Sequence, residues 1–519
     1  MVNGLSSRLR NLSHAGPVLA LFLAAGCASS DQLPQLAGLD RAHDVFGAGY
    51  DGLSDYYIDR LDMRKLTLHG LNGLKTLDPN FAFTADDRQI TLAYGKSEPR
   101  IFAFPGGDDP SRWARLTVDV VAESRVRFAP LKDASPEAIY KAVFEAELAD
   151  LDAFSRYSSA DAARKARASR EGFGGIGVTL SINESGVAIT SVMPETPASR
   201  AGLKDGDRIL SAGGITLSGL SSNEVLEKLR GQIDSTLVLT IEREGKTSEY
   251  KLRRSRIVPA TVLVKHEGSA AHIRVTGFNQ RTAKQLEEAV GAALANHGPG
   301  LKGLILDLRG NPGGLLDQAV YVADLFLNEG LILGTEGRHP RSKQSYKATA
   351  GDVARGLPMI VLINGGSASA AEIVAAALQD NHRALVIGST SYGKGSVQTV
   401  MRLPNDGEMT ITWARMLSPA GLPWHRIGVV PSLCTSHHSG DASQVIADLR
   451  RNAPELGAAF AQRTSFVRQG ETAGAEAARK ACPAKASETD LELKVAQQVI
   501  DEAGLFVLVS RQGQIALTP

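Results

Sequence analysis

Three short, almost uninterrupted apolar runs constrain the fold of this 519-residue chain more than any other feature. They occupy residues 304–308, 359–363 and 384–387, and sequence with helical periodicity stands between them. Strands that are apolar on both faces are typical of parallel sheets covered by helices on both sides. The alternation of such strands with helices therefore predicts a layered α/β core over residues 257–435.

Each of these strands leads into a loop rich in glycine, serine or asparagine, and the loops are residues 307–314, 364–372 and 391–398. In the second loop Ser369 stands just before a predicted helix, where free N–H groups and the helix dipole favour developing negative charge. In the third loop Lys394 lies between two glycines and can reach into a neighbouring cavity. A serine becomes a good nucleophile once a base takes its proton, so the two side chains suit each other chemically.

Residues 172–256 form a compact unit of short strands with two short helices, and their order resembles a PDZ domain. In that family a glycine-containing loop binds the terminal carboxylate of a peptide with backbone N–H groups, and the peptide adds a strand to the sheet. The resemblance assigns this loop to Gly175, Ile176, Gly177 and Val178. The alternative is a spacer with the shape of a PDZ domain that no longer binds peptide ends.

The three loops of the core resemble those of the S41 carboxy-terminal processing proteases. That family places a nucleophilic serine in a Ser-Ala-Ser-Ala-x-Glu stretch, a lysine base in a Gly-Lys-Gly turn, and a glutamine four residues after the lysine. The resemblance covers about residues 140–435 and implies Ser369 as nucleophile, Lys394 as base and Gln398 as the residue that orients the lysine. It also implies a ClpP/crotonase-like layered α/β core with an inserted PDZ domain and helical N- and C-terminal regions.

The chemistry of the family implies further site features. Backbone N–H groups of Ala370 and of Gly314 or Gly313 would hold the oxyanion. Lysine acts as a base only when neutral, so its pKa must fall by roughly 2–3 units from ~10.4, which requires a dry site. No cofactor and no metal are expected. The implied partners are exported proteins with free, apolar C-terminal ends, which the PDZ domain would capture while it gates activity, and an adaptor protein is compatible with this scheme.

Three departures from the family pattern stand out. Residues 90–135 look inserted, Ala371 occupies a position where a third serine is frequent, and residues 430–432 read Val-Pro-Ser in place of a common Pro-Asp ending. Residues 115–122 within the inserted segment alternate in a way that predicts a strand. The rest of residues 35–171, and residues 436–519, read as mainly helical.

Other residues and other functions offer alternatives. Ser367 is a rival nucleophile, and His382 could complete a serine–histidine triad as in tricorn-type proteases. Asp307 and Arg309 read as a structural ion pair rather than as catalysts. A catalytically inactive PDZ scaffold and a crotonase-like acyl-CoA enzyme are the alternative functions.

The N-terminal residues resemble a targeting sequence. Residues 1–26 have the basic start and short apolar run of a secretory signal peptide. Residues 23–27, Leu-Ala-Ala-Gly-Cys, resemble a bacterial lipobox with the leucine one place further from Cys27 than is common. They predict an exported, periplasmic lipoprotein, anchored by lipid at Cys27 and destined for the outer membrane, without other membrane contact.

Charge and cysteine content narrow the remaining possibilities. The formal net charge of +1 gives no reason to expect a nucleic-acid partner. Besides Cys27 the chain has Cys434 and Cys482. In an oxidising compartment these two can pair as a disulfide, and two buried free thiols are the alternative.

Overall fold

The computed structural model describes residues 41–95, 97–183, 186–438, 441–451, 465, 472–486 and 488–509. The predicted signal peptide at residues 1–26 and the predicted lipidation site Cys27 lie outside the described residues. Within the described ranges no helix has the length and apolar character needed to cross a membrane.

The first part of the described chain is mainly helical. Its elements are α1 (Ala42–Tyr56), α2 (Met63–Asn72), a 3₁₀ turn (Gly73–Thr76), β1 (Phe83–Ala85), β2 (Gln89–Leu92), β3 (Arg100–Ala103), α3 (Pro110–Arg127), α4 (Ala129–Asp133), α5 (Pro136–Ala149), β4 (Arg156–Ser158) and α6 (Ala160–Glu171). The strands β1, β2 and β3 form a small antiparallel sheet. Helices α1, α2, α3 and α5 pack on one another and bury the aromatic rings of Phe46, Tyr50 and Phe144.

The predicted strand at residues 115–122 is wrong, because this stretch lies inside α3. Asp109 caps the helix by accepting the N–H of Ser111, and Pro110 occupies the first turn, where its missing N–H does no harm. Trp113, Leu116 and Val120 are buried at helical spacing. The capping signal and this three- to four-residue spacing outweigh the β propensity of the valines.

The PDZ region is an antiparallel sheet with the strand order β11-β10-β8-β7-β6. Among the described residues strand β6 has only β7 as a hydrogen-bonded neighbour, so no strand of the described chain pairs with its other edge. The elements are β5 (Phe173–Gly175), β6 (Val178–Asn183), β7 (Gly186–Val192), α7 (Pro197–Arg200), β8 (Arg208–Ala212), β9 (Ile215–Thr216), α8 (Ser222–Leu229), β10 (Thr236–Arg243), β11 (Lys246–Arg253) and β12 (Ser255–Ile257).

The core sheet has the order β13-β14-β15-β18-β19-β22, and every pair except β13–β14 is parallel. A second sheet, in the order β17-β16-β21-β20, also pairs with β4. The elements are β13 (Val262–Glu267), β14 (Ala270–Val275), α9 (Thr282–His297), β15 (Gly303–Asp307), α10 (Leu316–Asp324), β16 (Leu331–Glu336), β17 (Gln344–Lys347), β18 (Met359–Ile363), α11 (Ala370–Asp380), β19 (Leu385–Gly388), β20 (Ser396–Arg402), β21 (Glu408–Leu417) and β22 (Leu433–Cys434), with 3₁₀ turns at Gly298–Gly300 and Pro340–Ser342.

The core sheet is buried between two layers of helices. On one face Leu306 and Val361 pack with α9, α10 and α11. On the other face Ile305 and Leu362 pack with helices that follow residue 440. These helices are α12 (Ala442–Arg451) and α14 (Asp490–Asp501), while α13 (Ala473–Ala481) packs its Ala478 against Ile427. Because both faces are covered, the strands are apolar throughout, as their sequences predict.

Candidate active site

Ser369 occupies the turn from strand β18 into helix α11. Its backbone has φ 56° and ψ −114°, a left-handed conformation that costs roughly 1–3 kcal/mol in a residue other than glycine. The loop before it consists of small residues, which leave room for the sharp turn. A Cβ on Gly313 would lie 2.8 Å from the Cβ of Ser369, so glycine at position 313 allows the first loop to come this close.

Glu372 joins the loop that carries Ser369 (residues 364–372, the serine loop) to the loop that carries Lys394 (residues 391–398, the lysine loop). Its Oε2 accepts the backbone N–H groups of both Ser369 and Lys394, each at 2.8 Å. Its Oε1 accepts the N–H of Gly393 at 2.7 Å and the hydroxyl of Ser391 at 2.5 Å. All four partners are donors, so the arrangement is satisfied by the ionised carboxylate. Burial raises the pKa of Glu372, whereas these hydrogen bonds act to lower it.

Glu372 is a site residue that sequence reasoning missed. The signal that could have revealed it is the spacing, because a serine followed three residues later by glutamate at a helix start is a capping-box pattern. In the folded chain the carboxylate does accept the N–H of Ser369, and it also reaches the lysine loop.

Lys394 is half-buried beside an aromatic wall. Its Nζ lies 5.3 Å from the ring centroid of Phe154, and no acidic side chain among the described residues forms an ion pair with it. Burial lowers the pKa of Lys394 and the charge of Arg156 lowers it further, while Glu372 and Asp152 oppose this shift. The direction of the shift is the one that a lysine base requires.

The loop that carries Phe154 is fixed by Asp152. The Asp152 carboxylate accepts the N–H groups of Phe154 and Ser155 at 2.7 and 2.8 Å, and the hydroxyl of Thr412 at 3.0 Å. The Phe154 ring also packs edge-on against His425, with 5.9 Å between ring centroids. The aromatic wall beside Lys394 is therefore held in place from two sides.

The structure does not show the contact implied between Gln398 and Lys394. The Gln398 amide instead donates to the Ser396 hydroxyl at 2.8 Å and to the Thr412 hydroxyl at 3.4 Å. The reason is strand pairing, because Gln398 on β20 lies opposite Thr412 on β21. A hydrogen bond between the Ser369 hydroxyl and the Lys394 amine is likewise absent from the described structure.

The predicted oxyanion donors divide into two kinds. In this structure the N–H of Gly313, predicted as an alternative to that of Gly314, donates to Asn311 Oδ1 at 2.8 Å. Among the described residues no acceptor binds the N–H of Gly314 or of Ala370. Ala370 begins helix α11, and Gly314 is exposed next to buried Gly313.

The alternative residues have structural surroundings. The hydroxyl of Ser367 is buried, donates to Leu308 O and accepts the N–H of Asn364. His382 is exposed at the end of α11. Burial alone would raise the pKa of Asp307, but the bidentate Arg309 lowers it well below its usual value. Within the described ranges, no cluster of three or more His, Cys, Asp or Glu residues could hold a metal ion.

The PDZ loop is shaped by a glycine. Gly177 has φ 83°, and a Cβ there would lie 2.3 Å from the Cβ of Thr196. The carbonyl of Ile176 accepts the N–H of Ala198, which holds the loop against α7. Val178 then begins β6, whose outer edge is open, and Gly175 ends β5.

Comparison with known proteins identifies the family. Residues 269–434 match peptidase family S41, and residues 174–253 match the PDZ domain. A carboxy-terminal-processing protease of Bartonella bacilliformis is 38% identical over 319 residues, which cover 61% of this chain and 73% of that protein. The chain belongs to peptidase family S41. It is a serine-type peptidase with a PDZ domain, and the α/β fold predicted from the sequence is confirmed.

Further S41-type relatives share less of their sequence with this chain. A probable CtpA-like serine protease of Staphylococcus aureus is 31% identical over 306 residues, which cover 58% of this chain and 61% of that protein. Among solved structures, the photosystem II D1 C-terminal processing protease has 25% sequence identity and a TM-score of 0.36. The alignment with it covers 72% of this chain and 93% of that one.

Proposed function

We propose that this S41 peptidase is an exported endopeptidase that cleaves proteins near their C-termini with Ser369 and Lys394 as a catalytic dyad. The observation that carries the proposal is the Glu372 carboxylate, one oxygen of which binds the backbone N–H of both residues. The lowered pKa of Lys394 supports its role as the base, since burial favours the neutral amine.

In the proposed reaction the Ser369 hydroxyl attacks the scissile carbonyl as its proton passes to the neutral amine of Lys394. The oxyanion accepts hydrogen bonds from the N–H groups of Gly314 and Ala370. Lys394 then returns the proton to the departing amine, and an acyl-enzyme remains. Water, activated by the same amine, releases the acyl product.

The dyad requires a rotation of the lysine side chain. In the structure the Lys394 amine rests against Phe154, and the Gln398 amide is bound to Ser396 and Thr412. In the proposed active arrangement the amine turns towards Ser369, and Gln398 Oε1 accepts one of its N–H groups. Because Glu372 already joins the backbones of both catalytic loops, we propose that this change is a rotation of side chains.

The PDZ region supports the choice of substrate. The open edge of β6 can pair with an extended peptide, and Gly177 lets the loop before it approach a terminal carboxylate. The name of the Bartonella relative, carboxy-terminal-processing protease, agrees with this choice. We therefore propose substrates with free C-terminal ends, captured by the PDZ domain, which gates cleavage.

The proposed location is the periplasm, with a lipid anchor at Cys27. The sequence of residues 1–27 supports it, and so does the disulfide between Cys434 and Cys482, since disulfides persist in oxidising compartments. Mass analysis of the mature N-terminus tests the anchor: a diacylated Cys27 is expected, and a Cys27→Ala protein should be released from membranes.

Labelling with a fluorophosphonate probe tests the catalytic residues. Ser369→Ala should abolish labelling, and both Ser369→Ala and Lys394→Ala should reduce cleavage of an unstructured protein by at least about 10³-fold. Ser367→Ala is the matched control and should keep the label, because its hydroxyl only links Leu308 and Asn364. Undiminished cleavage by Ser369→Ala protein would refute the dyad and indicate a different catalyst, whereas wild-type protein that binds peptides but takes no label would favour the scaffold.

A further inference from the structure

A C-terminal segment contacts all three loops of the active site. We call residues 479–486 and 488–492 the C-terminal strap. It follows the catalytic loops in sequence and lies outside the S41 match at residues 269–434. Its links to the three loops are polar bonds, one covalent bond joins Cys482 to Cys434, and Leu491 packs against the core sheet.

The serine loop is bound by the backbone of the strap. The N–H of Gly365 donates to Lys485 O at 2.7 Å, and the Asn364 side-chain amide donates to Ala486 O at 3.1 Å. The other end of that amide, Asn364 Oδ1, accepts the N–H of Gly310 at 2.9 Å. The strap therefore holds the loop before Ser369 and, through Asn364, the loop that carries Gly314.

The segment through which the chain enters the lysine loop, residues 389–392, is also hydrogen-bonded to the strap. The Thr390 hydroxyl donates to Cys482 O at 2.6 Å, and the Ser389 hydroxyl bonds both the N–H and the carbonyl of Lys485 at 3.1 Å. Arg479 donates to Tyr392 O at 2.5 Å. Ser389, Thr390 and Tyr392, which shortly precede Lys394, therefore all have hydrogen-bond partners in the strap.

The first loop is bound by charge. Arg309 donates to Thr489 O at 2.6 Å and forms an ion pair with Glu492 at 3.3 Å. Arg274 on β14 forms an ion pair with Glu488 at 2.6 Å. Arg309 lies in the loop that leads to Gly314, so the strap reaches the oxyanion side of the site as well.

The disulfide fixes the strap where it meets the lysine loop. Cys434 lies on β22, the edge strand paired with β19, and Cys482 follows α13. Both cysteines are buried, with exposed fractions of 7% and 0%. Since Thr390 bonds the carbonyl of Cys482 itself, the crosslink holds that carbonyl at its place on the lysine loop.

We propose that the C-terminal strap is a positioning segment for proteolysis, and that oxidation of Cys434 and Cys482 is what makes it hold the three loops. The proposal rests on the proposed function of Ser369 and Lys394. The oxidation is a thiol–disulfide exchange: both thiols lose their protons and one pair of electrons to a small disulfide such as glutathione disulfide, which leaves as two thiols. Full activity then requires an oxidising compartment.

Two readouts on the full chain test the strap. The first readout is the rate of fluorophosphonate labelling, measured at a temperature below the melting temperature of the variant. In Cys434→Ser/Cys482→Ser protein this rate should be about 10- to 100-fold lower than in wild type, because small misplacements of catalytic groups have effects of this size. Amide hydrogen exchange should accelerate at Gly365 and in residues 389–394, but not in β21. Affinity for a PDZ-binding peptide should stay within about twofold, since β6 does not contact the strap.

Matched variants separate positioning from stability. Leu131→Ala makes a cavity between α4 and α3, in the N-terminal region and apart from the strap, and should lower the melting temperature without changing the labelling rate. Thr390→Val keeps the disulfide but removes the hydrogen bond to Cys482 O, and it should lower the labelling rate several-fold. Thr390→Ser keeps a hydroxyl and should label at the wild-type rate.

The outcomes are distinguishable. Unchanged labelling and unchanged exchange in the disulfide-free protein would overturn the proposal, and so would an equal loss of labelling in Leu131→Ala protein. If wild-type protein takes no label, the dyad fails, and hydrogen exchange alone decides whether the disulfide holds the loops.

Discussion

Two fully buried glutamates, Glu372 in the protease core and Glu147 in the N-terminal helices, have opposite surroundings. Glu372 accepts four hydrogen bonds, two on each oxygen. Glu147 Oε1 accepts the Tyr50 hydroxyl at 2.7 Å, and its Oε2 has no partner among the described residues. At equal burial, one carboxylate therefore has four hydrogen-bond donors and the other has one.

The hydroxyl protons available around Glu147 fit a protonated carboxylic acid. Tyr50 has one hydroxyl proton, and its oxygen also lies 2.7 Å from the Thr117 hydroxyl, which already donates to Trp113 O. If Glu147 is protonated it donates to Tyr50, and Tyr50 donates to Thr117. Burial accordingly raises the pKa of Glu147 to about 8. What differs between the two glutamates is therefore the supply of donors.

The largest expected effect comes from removing the organising carboxylate. Glu372→Ala leaves four donors without an acceptor and separates the serine loop from the lysine loop, so cleavage should fall by about 10³-fold or more. Cleavage kinetics on folded protein measure this. Glu147→Gln is the matched control because it preserves a neutral side chain, and it should retain activity at pH 7. Equal losses in both variants would contradict the contrast.

The next effect is a dependence of folding stability on pH, which follows from the raised pKa of Glu147. Below about pH 4.5 the acid is protonated in both the folded and the unfolded chain, and it has no pH-dependent effect. Between 4.5 and about 8 only the unfolded chain ionises, so stability should fall as pH rises, by roughly 3–5 kcal/mol in total, and then level off.

Denaturant unfolding of wild-type and Glu147→Gln protein from pH 5 to pH 9 measures this dependence. The difference between the two proteins isolates the glutamate from other titrating groups. The variant should lose the decline above pH 5. Parallel curves for the two proteins would show that Glu147 is ionised in the folded chain.

The smallest effect concerns the Lys394 amine beside Phe154. Phe154→Ala admits water to Lys394, so the pKa of the amine should rise and the acidic limb of the pH–rate profile should move to higher pH. If the limb moves by about one pH unit, cleavage near neutral pH should fall about tenfold. Phe154→Leu keeps an apolar wall and should stay closer to wild type. Identical profiles for all three proteins would exclude desolvation by Phe154.

Sequence reasoning succeeded where the signal is local. The apolar strands and the three polar loops predicted the α/β core, and the order of short elements predicted the PDZ domain. The predicted strand at 115–122 failed because the capping residue Asp109 and the buried face of α3 decide the structure there. In that segment β propensity and helical periodicity conflict, and packing chose the helix.

The parts of the site that were missed depend on long-range contacts. Glu372 meets Lys394 only after α11 and the lysine loop have packed together. The Gln398 amide binds Thr412 because β20 and β21 pair in that register. Gly313 loses its free N–H to the side chain of Asn311. Motif spacing shows which residues are present, but it does not show which partner satisfies each polar group.

The C-terminal strap has a consequence for synthesis. A ribosome has translated Ser369, Lys394 and the whole core sheet before it reaches residue 479. A chain interrupted at that point would carry the nucleophile and the base but would lack the carbonyls that hold Gly365 and Thr390. With the strap in its proposed role, a molecule truncated there should therefore be a poor protease although it keeps both proposed catalytic residues.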